Sequence, residues 1–401
     1  MPRTTLAWTA AVLLTAAALC PLLLHWLTNP DDQRLVDLAV YREGGSSFLL
    51  GRPIYDHLTP APQLLPFTYP PIAAMLAAPL AALSWTAAQW AWTGGIVATL
   101  AAVTTLAFGP LTIQTGRLRP YLLAAAVIAS AYLIPVQYQV RFGQVGLFLT
   151  LLCLLDCTVK APWWPRGVLI GLATAIKLVP GLFIIYLWIT GRQRAATAAA
   201  ITTITLTALP FALIPQDAAA FWFRALLAPD RAGAANATTN QSLRGMLLRL
   251  YLDSGVTTAL WLVTAATVGA LGLIAARALS RDGQEIAAVS VTGLLTALLS
   301  PIGWMHHFTW IILTIAAALG RDSGPGRFLR AGLIWLAFTI PIPYLGVAVW
   351  AGHPTDAWAV ISGKILQDAF GLIVVGLVAA AWWQARTVEQ PIADPQQGPD
   401  S

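Results

Sequence analysis

Residues 165–190 read PRGVLIGLATAIKLVPGLFIIYLWIT, a stretch whose interior holds one charge, Lys177, and one helix breaker, Pro180. A helix exposed to water needs a polar face, and this segment has none, so its solvent is lipid. Proline removes a backbone donor and clashes with the preceding turn. The segment is therefore expected as two short pieces, a broken hairpin that does not fully cross. The rest of the chain has the same character. Of 401 residues, 58 % are hydrophobic and 10 % charged, against roughly a quarter charged in a soluble domain. That excludes a soluble fold, and it excludes intrinsic disorder, which requires low hydrophobicity. The fold class expected is an all-α polytopic membrane protein.

With roughly 20 residues per crossing, candidate spans fall at 7–27, 71–108, 120–136, 143–159, 165–178, 180–190, 195–214, 256–278, 286–300, 304–320, 328–344 and 362–384. That makes twelve transmembrane helices if 71–108 counts once, although a break near Ser84 and Trp85 is expected inside it. The segments between spans alternate in charge. One set carries Arg117, Arg119, Lys160, Arg166, Arg192, Arg194, Arg277, Arg281, Arg321, Arg327, Arg330 and Arg386, which the positive-inside rule assigns to the cytoplasm. The other set contains the long loops 28–70 and 215–255 and shorter ones around 137–143, 300–304 and 345–361, expected outside. Both termini then fall on the cytoplasmic side, as an even number of crossings requires. The excess of 23 Lys and Arg over 17 Asp and Glu, a net charge of +6, sets topology and meets anionic lipid rather than nucleic acid. Cys20, Cys153 and Cys157 form neither a disulfide framework nor a zinc pattern. The first 27 residues resemble a signal peptide, but their apolar run is long and no cleavage site follows, so a retained first helix is expected. Residues 1–388 are read as one transmembrane domain and 389–401 as a disordered cytoplasmic tail.

The outward set holds most of the unusual polar chemistry. In the first long loop, Arg34 to Leu50 alternates at helical spacing, predicting a helix along the membrane surface. Asp37 and Tyr41 share one face of it. Asp37 is either a general base for a substrate hydroxyl or a solvated acid paired with Arg34 or Arg42. The segment PVQYQVRFGQVGLF, 135–148, crowds Gln137, Gln139, Arg141 and Gln144 between apolar helices, amides and a guanidinium that suit sugar hydroxyls and phosphate. Lys177, inside a span, must face a cavity or a partner; it either holds a lipid phosphate or pairs with Asp156 or a carbonyl freed near Pro180. The segment NATTNQSLRGMLLRL, 236–250, places Asn240, Gln241, Ser242 and Arg244 before a short helix, with Arg249 as an interfacial anchor. In SPIGWMHHFTW, 300–310, His306 and His307 are adjacent and point about 100° apart on a helix, so they cannot both ligate one ion. One of them facing a cavity serves acid–base chemistry or bonds a sugar or phosphate. There is no phosphate-binding glycine loop, dinucleotide fingerprint or G-x-S-x-G elbow.

Five of these segments, DLAVYREGG, FGQVGLF, GLATAIKLVPGLF, NQSLRGMLLRL and SPIGWMHHFTW, follow one another in an order that resembles glycosyltransferase family 87. Within it the chain is similar to the actinobacterial polyprenyl-phosphate-mannose-dependent α-1,2-mannosyltransferases. The resemblance implies a GT-C fold with the active site on outward-facing loops of a multi-pass plasma-membrane protein, on the periplasmic face. It implies a polyprenyl-phosphate-mannose donor and a phosphatidylinositol mannoside glycolipid as acceptor. An essential aspartate of the first outer loop maps onto Asp37, and a histidine pair near the reaction centre onto His306 and His307, of which His307 is preferred. Lys177, Arg244 and Arg141 become candidates for the donor phosphate, and Tyr41, Arg42, Gln144, Asn240, Gln241 and Trp304 for the substrates. Asp37 would take the proton of the attacking 2-hydroxyl and invert the anomeric carbon, with a cation stabilising the departing lipid phosphate. No cofactor or divalent metal is expected, although Asp31 and Asp32 leave that open. Gly146 departs from the polar residue, often asparagine, expected after GQV. The rival readings are an enzyme branching lipomannan, a GT-C arabinosyltransferase, and a polyprenyl-phosphate transporter. One-sided polarity and the lack of an internal repeat speak against the transporter.

Overall fold

The structure, a computed structural model, describes residues 3–30, 33–228, 231, 233–320 and 324–389, side chains at 3 and 387–389 aside. Asp31, Asp32, Arg321 and the tail from 390 lie outside the described residues. Helices account for nearly all the regular structure; among the described residues the only bridges are isolated ones, Leu58 with Pro66 and Asn240 with Trp304.

The chain starts with α1 (Arg3–Leu27) and α2 (Val36–Leu49), the short helix predicted in the first outer loop. The apolar run at 71–108 divides where expected, into α3 (Pro71–Ala82) and α4 (Trp85–Thr112), because Ser84 caps α4 by accepting from the Ala87 N–H at 3.2 Å. Next come α5 (Arg119–Ala131), α6 (Ile134–Phe142) and α7 (Gly146–Thr158), the last two meeting at 120°. The hairpin of the opening stretch is broken as its proline requires: α8 (Val168–Ile176) stops at extended Lys177, a 3-10 turn runs over Val179–Gly181, and α9 (Leu182–Ile189) resumes. Then follow α10 (Gln193–Leu213), α11 (Pro215–Ala220), α12 (Leu243–Leu248), α13 (Ser254–Arg281) and α14 (Glu285–Leu299). A 3-10 turn, Met305–Trp310, leads into α15 (Ile311–Gly320), and the chain finishes with α16 (Gly326–Thr339), α17 (Ile342–Gly352), α18 (Ala357–Gln367) and α19 (Ala369–Glu389).

Two boundaries differ from expectation. The segment 345–361 was expected as a loop, yet α17 and α18 pack backbone to backbone there. A Cβ on Gly346 would lie 2.5 Å from the Gly363 oxygen, and one on Gly363 2.7 Å from the Gly346 oxygen. Small residues permit such contact, which hydropathy alone does not register. The last span starts at Ala369, not 362, because Asp368 ends α18. Among the described residues, five helices are long and apolar enough to cross a membrane, or seven if each bent pair is one span. Of the expected twelve, 180–190, 286–300 and 304–320 are short apolar helices of 10–17 residues, 165–178 holds only the nine-residue α8, and 120–136 falls largely in the same long apolar run as α4.

The core gathers Ile96 and Val103 of α4, Leu147 and Leu154 of α7, Phe183 of α9, Leu294 of α14 and Ile311 of α15. Several of these helices run between two chemically distinct ends. At one end Asp156, Arg166 and Arg192 lie near the starts or ends of α7, α8 and α9, and Arg192 pairs with Glu285 at 2.7 Å at the start of α14. At their other ends stand Gln144 before α7, Lys177 after α8, and the histidine pair beyond α14. With 13 residues at roughly 1.5 Å each, α7 alone separates the two ends by about 20 Å.

Candidate active site

Asp37 sits in the first turn of α2, with Tyr41 one turn later. Two ties hold this helix in place: the Leu35 N–H donates to the Arg141 carbonyl at 2.6 Å, and Arg42 donates to the carbonyls of Leu80 in α3 (3.0 Å) and of Leu83 just after it (2.6 Å). The Asp37 carboxylate accepts from the Gln144 side-chain amide at 2.5 Å. An ionised carboxylate only accepts, so the amide nitrogen faces it and the amide oxygen faces away. That oxygen takes the Tyr41 and Tyr69 hydroxyls at 3.3 and 3.4 Å, and the two hydroxyls lie 3.0 Å apart. Lys177 completes the cluster. Its ammonium reaches the Tyr69 hydroxyl at 3.5 Å and the His307 Nε2 at 2.9 Å.

Burial divides these residues by task. Gln144, Tyr41 and Tyr69 are buried, whereas Asp37, Lys177 and His307 keep part of their surface. The first group supports and the second faces the opening. Burial raises the Asp37 carboxyl to about 6, and the Gln144 hydrogen bond and the Lys177 charge hold it from rising further. Burial also pushes both tyrosine hydroxyls up, followed for Tyr69 by the nearby Asp37 charge, so they remain donors. Because an ammonium has no lone pair, His307 Nε2 accepts from Lys177, leaving that imidazole neutral with its proton on Nδ1.

The second histidine faces inward. His306 is 6 % exposed and its ring lies edge-on to His307 at 4.5 Å. Its carbonyl accepts from the Gln139 amide at 2.6 Å, and the Gln139 oxygen accepts from the Leu147 N–H at 3.2 Å. Gln139 thereby fastens the histidine turn to α7. The same side chain accounts for Gly146: a Cβ there would lie 2.8 Å from the Gln139 Nε2, so the amide fills the space a larger residue would need.

The remaining candidates are placed elsewhere. Asn240 and Gln241 are fully buried and spend their amides on backbone. Asn240 accepts from Gly303 and donates to Ala235; Gln241 donates to Thr238 and Gln367 and accepts from Gly371. They pin the long loop between α11 and α12 to the histidine turn, where Asn240 bridges Trp304. Arg42 lines, with Arg34, Glu43 and Trp85, a cavity of about 360 Å³ on the side of α2 away from Asp37. Arg244 lies over the Trp261 ring and Arg141 among three aromatic rings; neither contacts the Asp37 cluster. Arg249 is no interfacial anchor, since it is 4 % exposed and paired with Asp368 at 2.6 Å. Nor does Asp156 pair with Lys177; it stands at the far end of α7. Tyr69 was missed by sequence reasoning. Its only signal was a tyrosine in FTYPP, at the end of a polar loop. No three His, Cys, Asp or Glu residues gather to hold a metal among the described residues.

The cluster offers one carboxylate poised to take a proton near neutral pH and one cation able to hold a phosphate. A lone base beside a cation suits a single displacement better than a double one, which needs a second carboxylate as nucleophile.

Residues 67–301, which include Tyr69, Gln144 and Lys177, match the sequence profile of glycosyltransferase family 87. The chain is 33 % identical to a polyprenol-phosphate-mannose-dependent alpha-(1-2)-phosphatidylinositol mannoside mannosyltransferase of Mycolicibacterium smegmatis, over 94 % of this chain and 91 % of the relative. A polyprenol-phosphate-mannose-dependent alpha-(1-2)-phosphatidylinositol pentamannoside mannosyltransferase of the same organism is 30 % identical over the same shares. An alpha-(1->3)-arabinofuranosyltransferase of Corynebacterium glutamicum is 28 % identical over 79 % of this chain and 74 % of its own. No solved structure matches.

Proposed function

The chain belongs to glycosyltransferase family 87 and is a glycosyltransferase, and on that premise we propose that it is an inverting α-1,2-mannosyltransferase. It moves mannose from polyprenyl-phosphate-mannose to a phosphatidylinositol mannoside, extending a tetramannoside to the penta- or hexamannoside. The observation that carries this reading is the Asp37–Gln144–Tyr69–Lys177–His307 cluster, in which a proton acceptor and a cation are joined by buried hydroxyls. The proposed fold is GT-C, and the proposed location of the site is the periplasmic face. Support for that face comes from the basic loops at the other end of α7, α8 and α14.

In the reaction, the acceptor 2-hydroxyl attacks the anomeric carbon and its proton passes to Asp37. The bond from that carbon to the phosphate oxygen breaks, and the lipid phosphate leaves with the electron pair. Attack opposite a β-linked phosphate yields an α-linkage, with no covalent sugar intermediate. Lys177 meets the charge that grows on the phosphate, and neutral His307 aims it. Fixed cations suffice for such a leaving group, so the reading includes no divalent metal.

Purified protein in nanodiscs, given labelled polyprenyl-phosphate-mannose and phosphatidylinositol tetramannoside, tests the proposal. The expected product gains one mannose that an α-1,2-mannosidase removes, and Asp37→Asn makes none. The arabinofuranosyltransferase relative supplies the second reading. Transfer from polyprenyl-phosphate-arabinofuranose alone, or to lipomannan but not to the mannoside, would overturn the first.

A further inference from the structure

Arg141 lies at the same end of the bundle as the cluster but outside it, with its guanidinium carbon 5.2 Å from the Trp26 ring, 5.5 Å from Tyr138 and 5.0 Å from Phe142. Three other arginines each reach an oxygen: Arg249 pairs with Asp368, Arg192 with Glu285, and Arg42 donates to two carbonyls. Arg141 is surrounded by rings instead. No described residue accepts a hydrogen bond from it, and its Nε–H is buried without a partner. The Trp26 indole N–H, in the same cage, is buried without an acceptor too. Two orphaned donors and a positive charge share one aromatic cage, and the complement of such a group is an anionic oxygen.

We infer that Arg141 receives the phosphodiester of the acceptor glycolipid, a lipid phosphate separate from that of the donor; this rests on the function proposed above. Depth favours a lipid. Trp26 closes the last turn of α1, and a tryptophan at the end of an apolar span sits at headgroup level. Position favours the acceptor. The donor's phosphate is bonded to the reacting carbon and must lie by Lys177, whereas Phe142 and His306 stand between Arg141 and His307, at ring separations of 6.0 and 4.5 Å. In a phosphatidylinositol mannoside the glycan separates the phosphodiester from the reacting hydroxyl, so one molecule spans both places. The aromatic cage strips water from the guanidinium and aims its fork, which strengthens a bond to phosphate.

The test compares two acceptors in phosphatidylcholine nanodiscs: phosphatidylinositol tetramannoside and an alkyl tetramannoside lacking the phosphodiester. Arg141→Gln is expected to raise both the Kd and the KM for the phosphate-bearing acceptor about 10- to 100-fold, and to leave the donor KM unchanged. The alkyl acceptor should not distinguish the variant from the native protein. Arg141→Lys, which keeps the charge and the ring contacts, should lose less, again only with the phosphate-bearing acceptor, and it decides the matter if the glutamine variant fails to fold. Equal losses with both acceptors would make the cage structural and overturn the inference. A raised donor KM would assign Arg141 to the donor, and unchanged binding would leave it to bulk lipid; both overturn it. Native protein that transfers no mannose to either acceptor refutes the proposed function instead, and the binding measurement still decides Arg141.

Discussion

Asp37 and Asp156 are carboxylates at opposite ends of one bundle, and the fold treats them in opposite ways. Asp156 is 2 % exposed and accepts from the Trp164 indole (2.8 Å) and the N–H groups of Gly167 (3.0 Å) and Ile170 (2.9 Å). Its lone pairs are spent on fixing the start of α8. Asp37 keeps surface, receives one side-chain donor and feels a lysine charge without touching it. A carboxylate crowded with donors is a strut and a poor base. One left short of donors in a dry setting has its carboxyl raised toward neutrality, and its ionised form is then a base able to take a proton there. Burial alone separates neither; the number of donors does.

The same substitution at both places breaks the pair most sharply. Asp37→Asn should lower transfer by about 10²- to 10⁴-fold with an unchanged thermal midpoint, measured on the purified protein. Asp156→Asn should do the reverse. Its new NH₂ faces donors, which costs about 3 kcal/mol of unfolding free energy, read by thermal or denaturant unfolding in detergent, while transfer per folded molecule stays near native. Lys177→Met comes next, raising the donor KM about 10- to 100-fold. It also removes a charge that favours ionised Asp37, so the acid limb of the pH profile should move to higher pH. The smallest effect belongs to Gln144→Leu. Its hydrogen bond favours the ionised carboxylate, so its loss shifts the same limb upward, while rates at high pH stay close to native. A limb that moved downward in either variant would mean that the titrating group is not Asp37.

What was legible in the sequence followed from rules that act locally. Pro180 disfavours a continuous helix and Ser84 caps the start of one, and both breaks are present. Asp37 and Lys177 drew notice because charge is rare in this chain, and the structure brings both to one cluster. The errors came from directions in space that residue type does not encode. Asn240 and Gln241 looked like ligands for a sugar, but an amide fits a backbone turn equally well and these two are spent there. Tyr69 carries no charge or pattern that marks it in the sequence; only folding brings FTYPP against Gln144 and Lys177. The α17–α18 hairpin depends on the close approach of Gly346 and Gly363, which neither hydropathy nor charge pattern encodes.

The most direct test of Asp37 as the base is the pH dependence of kcat/KM for mannosyl transfer by the native protein. An aspartate that must be deprotonated, with its carboxyl raised to about 6, gives activity that falls as pH drops through that value. A profile flat from about pH 5 to 8, or one that rises as pH falls, would contradict it.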